Sequence, residues 1–169
     1  QSSDRKRPFL FILSFVPAGF AILTKGPAGL ILPAATLAIL LLITKAEKKY
    51  FLFLVLGCIL SSAIAAPWFV AAGKEYTVEF LIRQNVTRYS NAFDHREPVW
   101  FYIQKIFVNF LPWSIILPFA LYSAGKKKVY LPLVWFSFAL VFFTFSQSKR
   151  GIYLLPAYPA CALLAGLYI

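Results

Sequence analysis

The 169-residue chain has little charge, and acidic residues are its scarcest charged class. Only 14% of its residues are charged, and six Asp and Glu stand against 17 Lys and Arg. Soluble domains have about a quarter charged residues and about half apolar ones, whereas 60% of this chain is hydrophobic and its mean hydropathy is +0.73. The shortage of charge therefore excludes an ordinary soluble domain and predicts a membrane protein.

Cysteine and histidine are also scarce, and this argues against several kinds of catalytic site. Cys58 and Cys161 both lie in apolar segments without a partner at metal or disulfide spacing, so we expect them to be small buried hydrophobic residues. His95 is the single histidine, which excludes a helical pair of zinc-binding histidines. No nucleophile elbow is present either, so neither a serine triad nor a zinc protease is expected within these residues.

Long apolar runs dominate the chain and determine its predicted fold. A transmembrane helix needs about 17 to 25 residues, and runs of that order lie at 9–23, 28–43, 50–72, 99–122, 129–145 and 152–169. We predict an all-α, polytopic membrane helix bundle with about six transmembrane helices in one domain, 1–169. Eight of the eleven prolines fall within these runs, which predicts broken or kinked helices.

The distribution of basic residues predicts the orientation in the membrane. Alternate junctions between the runs carry three tight clusters of Lys and Arg, a pattern typical of cytoplasmic loops. These clusters are Arg5, Lys6 and Arg7; Lys45, Lys48 and Lys49; and Lys126, Lys127 and Lys128. The excess of basic residues thus indicates the membrane topology. It does not support nucleic-acid binding, because the lysines form loop clusters without a basic groove.

The connection 73–98 is predicted to lie on the extracytoplasmic side and to contain an interfacial helix. Apolar residues recur in it at helical spacing, and Glu79 precedes Arg83 by four residues, as in a helical ion pair. The apolar positions are Val78, Ile82, Val86, Tyr89 and Phe93. A helix with one apolar face and one charged face suits the membrane surface.

Three groups of charge fall on this predicted outer side: Lys25, the cluster 88–97, and Lys149 with Arg150. Ionisable groups at membrane depth usually face an interior or a watery cavity, so we expect one cationic cavity that opens outward. Lysine and arginine bind phosphate, which makes an anionic lipid headgroup or a phosphate leaving group the expected ligand.

Plainer interpretations of these cations stay open. Lys25 and Lys105 could be interfacial side chains, and Lys149 with Arg150 could simply flank a transmembrane helix. Two other function classes are a transporter or flippase for an anionic lipid-linked substrate, which would also use broken helices, and a non-catalytic membrane scaffold.

Four motifs, in this order, cover nearly the whole chain and carry a family resemblance. They are "LTKGPAGLILP", "PWFVAA" followed by "FLIRQNVTRYSNAFDHREPVWFYI", "FLPWS", and "SKRGIYLLPAYPACALLAG". The set resembles the bacterial polyprenyl-phosphate-dependent glycosyltransferases of the GT-C class, related to aminoarabinose (lipid A) transferases and protein O-mannosyltransferases.

The resemblance implies a bacterial inner-membrane enzyme that transfers a sugar from a polyprenyl-phosphate carrier to lipid A, protein or another glycan on the extracytoplasmic face. It implies that the general base lies upstream of these residues, and that this fragment alone is inactive.

The resemblance also implies roles for particular residues. It places the carrier phosphate at Lys25, Arg88, Lys149, Arg150 and Tyr153. It assigns the single histidine, His95, to a phosphate contact or to a divalent metal, the one cofactor expected, while Asp94, Arg96 and Glu97 are expected to be structural. The segment "KRGIY" departs from the commoner Lys-Leu-Pro-x-Tyr pattern, which leaves open which cation binds the phosphate.

Overall fold

The computed structural model describes residues 9–90 and 97–169, and every regular element within these ranges is a helix. The chain divides into two units, Gln1–Val86 and Thr87–Ile169. The all-α class predicted from the sequence is therefore confirmed for the described residues.

From residue 9 onward, where the structure describes it, the first unit contains four α-helices, preceded by a helical turn at 9–13 and followed by a π-helix. The α-helices are α1 (Val16–Lys25), α2 (Ala28–Ile43), α3 (Lys48–Ala72) and α4 (Lys74–Val78), and the π-helix is π1 (Glu79–Thr87). Helices α1, α2 and α3 pack together around a core that includes Phe15, Ala18, Leu41 and Leu54.

Small residues allow α1 and α3 to approach closely. A Cβ atom on Gly19 would lie 2.9 Å from Cβ of Ile64, and one on Gly57 would overlap the ring of Phe15. The buried Ser61 hydroxyl lies 2.8 Å from the Phe15 carbonyl oxygen and donates a hydrogen bond to it. Close contact through small residues, with a hydroxyl bonded across the interface, is the usual way in which helices associate in membranes.

The described residues of the second unit, 87–90 and 97–169, contain five α-helices and two 3₁₀-helices. The α-helices are α5 (Arg88–Ser90), α6 (Phe101–Asn109), α7 (Leu117–Lys126), α8 (Tyr130–Phe145) and α9 (Tyr158–Tyr168), and the 3₁₀-helices span Trp113–Ile115 and Gly151–Ala157. Helix α9 packs on α7 and α8 through small buried residues, including Ala120, Ala124, Ala139, Ala160 and Ala165.

The helix bounds agree with most of the predicted apolar runs. The run 28–43 coincides with α2, and the run 50–72 lies within α3. The run 99–122 is broken, as the prolines within it predicted, because α6 ends at Asn109 and α7 begins only at Leu117. Pro112 lies in this break, where a missing backbone N–H ends the regular hydrogen bonding.

Among the described residues, length and composition identify two helical segments that could cross a membrane. These are Lys48–Ala72 and Gly151–Tyr168, and shorter apolar helices lie at Phe9–Lys25, Ala28–Ile43 and Tyr130–Phe145. Large apolar side chains such as Val70 and Phe145 are more than 70% exposed. An outer surface this apolar suits contact with lipid.

The predicted interfacial helix is helical, but most of it is not an α-helix. It consists of α4, π1 and α5, and Val78, Ile82 and Val86 are all about half exposed. The predicted ion pair is present, with Nη1 of Arg83 3.3 Å from a carboxylate oxygen of Glu79. Phe93 lies outside the described residues.

Candidate functional site

The lysine of the Lys-Gly-Pro turn is the last residue of α1. Gly26 follows it with φ 63° and ψ −150°, and its N–H donates to the carbonyl of Ile22 at 2.9 Å. Only glycine adopts this backbone conformation readily. Lys25 is exposed at the carboxyl end of α1, where the helix dipole favours a cation.

Asn85 of the Asn-x-x-Arg motif lies directly against this turn. A Cβ atom on Gly26 would lie 2.5 Å from Nδ2 of Asn85. The Asn85 amide itself donates to the carbonyl of Phe80 at 2.7 Å, within π1. Two of the motifs that carry the resemblance therefore meet within the first unit, at a point where only a hydrogen atom fits between them.

Tyr89 fixes α5 to the end of α8. Its hydroxyl donates to the carbonyl of Phe142 at 2.8 Å, and its own carbonyl accepts the N–H of Gln147 at 2.9 Å. Burial raises the pKa of Tyr89, so the hydroxyl remains a donor at neutral pH. Arg88, the half-buried residue before it, is thereby held near the segment that leads to Lys149.

An open cavity of about 500 Å³ lies between α6 and the segment 149–152. One wall is formed by residues spaced four apart, so that they lie along one face of α6 and its leading turn. These residues are Glu97, Phe101, Lys105 and Asn109, and the opposite wall is formed by Lys149, Arg150, Gly151 and Ile152. The described charged groups of the cavity sum to a net charge of +2.

Lys149 is the most unusual group in this cavity, because it is only 8% exposed. Within the part of the chain that the structure describes, its ammonium forms no ion pair or hydrogen bond. Burying a cation without a partner is costly, so such a group is usually paired or faces a ligand. Lys149 thus lines the cavity with no described ion-pair partner, and its role in binding the phosphate stays a prediction.

The backbone beside Lys149 is fixed by the fully buried Tyr102 of α6. The N–H of Arg150 donates to the Tyr102 hydroxyl at 3.2 Å. Arg150 then adopts an extended conformation, and the 3₁₀-helix Gly151–Ala157 begins after it. The two adjacent cations are thus presented to the cavity from a backbone tied to the core of the second unit.

The structure brings together only some of the residues that the sequence predicts to bind the carrier phosphate. Lys149 and Arg150 share one cavity, whereas Arg88 and Tyr153 are absent from its described lining. The Tyr153 ring instead stacks on Phe143 at 5.6 Å. Lys25 belongs to the other unit, so one cavity for all the predicted cations stays a prediction.

The predicted metal contact, His95, lies outside the described residues, as do Asp94 and Arg96. Among the residues that are described, no three His, Cys, Asp or Glu side chains come together in an arrangement that could hold a metal ion. The role of His95 therefore stays a prediction.

Sequence reasoning missed one cation of the cavity, Lys105, which was interpreted as an interfacial side chain of the fourth apolar run. It is half-buried and lines the same cavity as Lys149 and Arg150. The spacing of Glu97, Lys105 and Asn109 by multiples of four was a usable signal, since it places three polar residues on one face of a helix.

Comparison with known proteins finds relatives that are named as arabinosyl transferases. It is 30% identical over 176 residues to undecaprenyl phosphate-alpha-4-amino-4-deoxy-L-arabinose arabinosyl transferase 2 of Proteus mirabilis, covering 99% of this chain and 32% of that protein. An uncharacterised protein of Aquifex aeolicus is 36% identical over 166 residues, covering 95% of this chain and 33% of that protein. No family model matches the chain.

Comparison with solved structures also finds an arabinosyl transferase, ArnT. The crystal structure of ArnT from Cupriavidus metallidurans bound to undecaprenyl phosphate matches with a TM-score of 0.81 and 29% identity, covering 96% of this chain and 31% of that one. Its apo state matches with a TM-score of 0.67 and 28% identity, covering 94% and 29%. The chain thus spans about one third of the relatives that it matches. Over that third it is a homologue of the undecaprenyl phosphate-aminoarabinose arabinosyl transferases, which confirms the resemblance to GT-C glycosyltransferases predicted from its motifs.

Proposed function

We propose that this chain forms part of an integral-membrane glycosyltransferase that takes a sugar from a polyprenyl-phosphate carrier. The observation that carries the proposal is Lys149, a buried cation that faces a cavity beside Arg150 and forms no ion pair within the described residues. The proposal is supported by homology to arabinosyl transferases and by the likeness to ArnT bound to undecaprenyl phosphate.

The proposed donor is a polyprenyl-phosphate-linked sugar of the kind named for the relatives, undecaprenyl phosphate-alpha-4-amino-4-deoxy-L-arabinose. The proposed acceptor is lipid A, a protein or another glycan. Lys25, Arg88 and Tyr153 are proposed as further contacts to the carrier phosphate, and His95 as a contact to the phosphate or to a divalent metal. The role proposed for Lys149 and Arg150 does not depend on that metal.

The proposed chemistry is electrostatic. When the bond between the sugar and the phosphate breaks, negative charge develops on the departing phosphate oxygen. Lys149 and Arg150 would lie close to that charge, and cations held in fixed positions stabilise a transition state more than the less charged ground state. Arg150 can bind two phosphate oxygens at once, whereas Lys149 acts as a point charge.

The proposed membrane arrangement is six transmembrane helices in one domain, with the reaction on the extracytoplasmic face of the bacterial inner membrane. Three features support it: the basic clusters at alternate junctions, the exposed apolar side chains, and the membrane-capable lengths of Lys48–Ala72 and Gly151–Tyr168. Residues 73–98 would form the extracytoplasmic loop with its interfacial helix.

The test compares the full-length protein with its Lys149→Gln variant in reconstituted vesicles. We expect the wild type to form glycoside from polyprenyl-phosphate-linked aminoarabinose, and Lys149→Gln to reduce the rate by about 100-fold or more. Lys127→Gln, in the basic turn between α7 and α8, is the matched control and should retain full activity.

Equal rates for the wild type and Lys149→Gln would contradict the proposal. A wild type that moves the lipid-linked sugar across the vesicle membrane without forming glycoside would instead support a flippase.

A further inference from the structure

Lys105 belongs to none of the motifs that carry the resemblance, yet it lines the cavity that contains Lys149 and Arg150. It lies one helical turn after Phe101 and one turn before Asn109, on the face of α6 that forms the cavity wall. Its neighbours Ile103, Phe107 and Val108 are more than half exposed and apolar, as expected for the lipid-facing side.

The Lys105 side chain is held along the wall of the cavity. Its ammonium nitrogen lies 5.3 Å from the centroid of the Phe101 ring. Its Cδ atom would lie 3.9 Å from a Cβ atom on Gly151, the ordinary contact distance between carbon atoms. In the described part of the chain it forms no ion pair, so its positive charge is neutralised by no described carboxylate.

The charge of the proposed ligand changes during the proposed reaction. A sugar linked to a polyprenyl phosphate is a phosphodiester with one negative charge. In the transfer step, an acceptor hydroxyl oxygen bonds to the anomeric carbon and loses its proton to a base. The bond from that carbon to the phosphate oxygen breaks, and its electron pair stays on the phosphate. The departing phosphate monoester then carries about 1.5 to 2 negative charges near pH 7.

The net charge of the cavity matches the charge of the departing phosphate better than it matches the charge of the donor phosphodiester. Its described lining carries three cations and one carboxylate, a net charge of +2. Without Lys105 the described lining has a net charge of +1, which already balances the single charge of a phosphodiester, so the third cation contributes most when the second negative charge appears. An interaction that strengthens between ground state and transition state raises kcat, whereas one that is equal in both lowers only KM.

We propose that Lys105 is a catalytic residue that binds the departing phosphate and contributes more to the dianion than to the donor phosphodiester. This inference rests on the proposed function, because it concerns the same cavity and the same carrier.

The test uses full-length protein carrying Lys105→Gln, Lys105→Met or Lys105→Arg. We expect Lys105→Gln and Lys105→Met to lower kcat by about 10- to 100-fold, the effect of losing one charge-assisted hydrogen bond, with a smaller change in KM for the donor. Affinity for polyprenyl phosphate should fall more than affinity for the donor. Lys105→Arg keeps the charge and should retain most of the activity, and Lys127→Gln is the control.

The outcomes separate this inference from the proposed function. If the wild type forms no glycoside, the proposed function fails. The role of Lys105 is refuted, while the proposed function stands, if the wild type is active but Lys105→Gln and Lys105→Met leave kcat unchanged. It is also refuted if these variants weaken binding of the donor and binding of polyprenyl phosphate equally. Lys105→Met keeps an unbranched apolar stem that reaches as far as the lysine Cε, so it decides the question should the glutamine variant fail to fold.

Discussion

We predict that Gly26→Ala destabilises the turn that carries Lys25 by about 2 to 6 kcal/mol. The backbone conformation at Gly26 (φ 63°, ψ −150°) is one that only glycine adopts readily, which costs about 1 to 3 kcal/mol for any other residue. The added Cβ would also lie 2.5 Å from Nδ2 of Asn85, and overpacking of this kind costs about 1 to 3 kcal/mol more.

The chain offers controls that separate the two costs. Gly73 has a similar backbone conformation (φ 86°, ψ 165°), but a Cβ there would meet nothing within 4 Å. Gly73→Ala should therefore show the backbone cost alone. In an Asn85→Ala background, the penalty of Gly26→Ala should fall to that of Gly73→Ala. Gly166→Ala, in the last turn of α9 where a Cβ would meet nothing within 4 Å, should be neutral or stabilising by up to about 1 kcal/mol.

The measurement is the free energy of unfolding of the full-length variants in detergent micelles, obtained by titration with a denaturing detergent. A double-mutant cycle between Gly26 and Asn85 gives their coupling directly. Equal penalties for Gly26→Ala and Gly73→Ala, with no change in the Asn85→Ala background, would refute the close contact between the Lys-Gly-Pro turn and the Asn-x-x-Arg motif.

Two further variants test the packing and the cavity. Ser61→Ala removes the hydrogen bond from α3 to the Phe15 carbonyl and should cost about 1 kcal/mol in the same unfolding assay, while Ser62→Ala, which loses only a bond within its own helix, should cost less. Tyr102→Phe removes the acceptor of the Arg150 N–H, which should cost about 1 to 3 kcal/mol and weaken binding of undecaprenyl phosphate. Unchanged stability in the first case, or unchanged affinity in the second, would contradict these contacts.

The sequence predicts the helices best where apolar runs are continuous and end at glycine or charge. Helix α2 coincides with its predicted run, and α3 differs from its run only by two lysines at its start. Hydropathy alone does not distinguish a continuous helix over 99–122 from two short helices, and it is the prolines within this run that predicted the break at Pro112. The π-helix Glu79–Thr87 could not be predicted, because the spacing of apolar residues was compared only with that of an α-helix.

The candidate site could be predicted only in part. Charge on the predicted outer side pointed to Lys149 and Arg150, and the structure places both in one cavity. Tyr102 contacts Arg150, which lies 48 residues later in the chain, and Asn85 packs against the distant Gly26 turn. No local sequence pattern predicts such long-range contacts. Lys105 was missed because its helix was considered as a membrane span rather than as the wall of a cavity.

The central claim is that Lys149 binds the carrier phosphate, and the most direct test is the affinity of the full-length protein for undecaprenyl phosphate. The Kd should rise by about 10- to 100-fold in Lys149→Gln, the effect of losing one charge-assisted hydrogen bond, and should stay unchanged in Lys127→Gln. A folded Lys149→Gln variant that binds undecaprenyl phosphate as tightly as the wild type would contradict the claim.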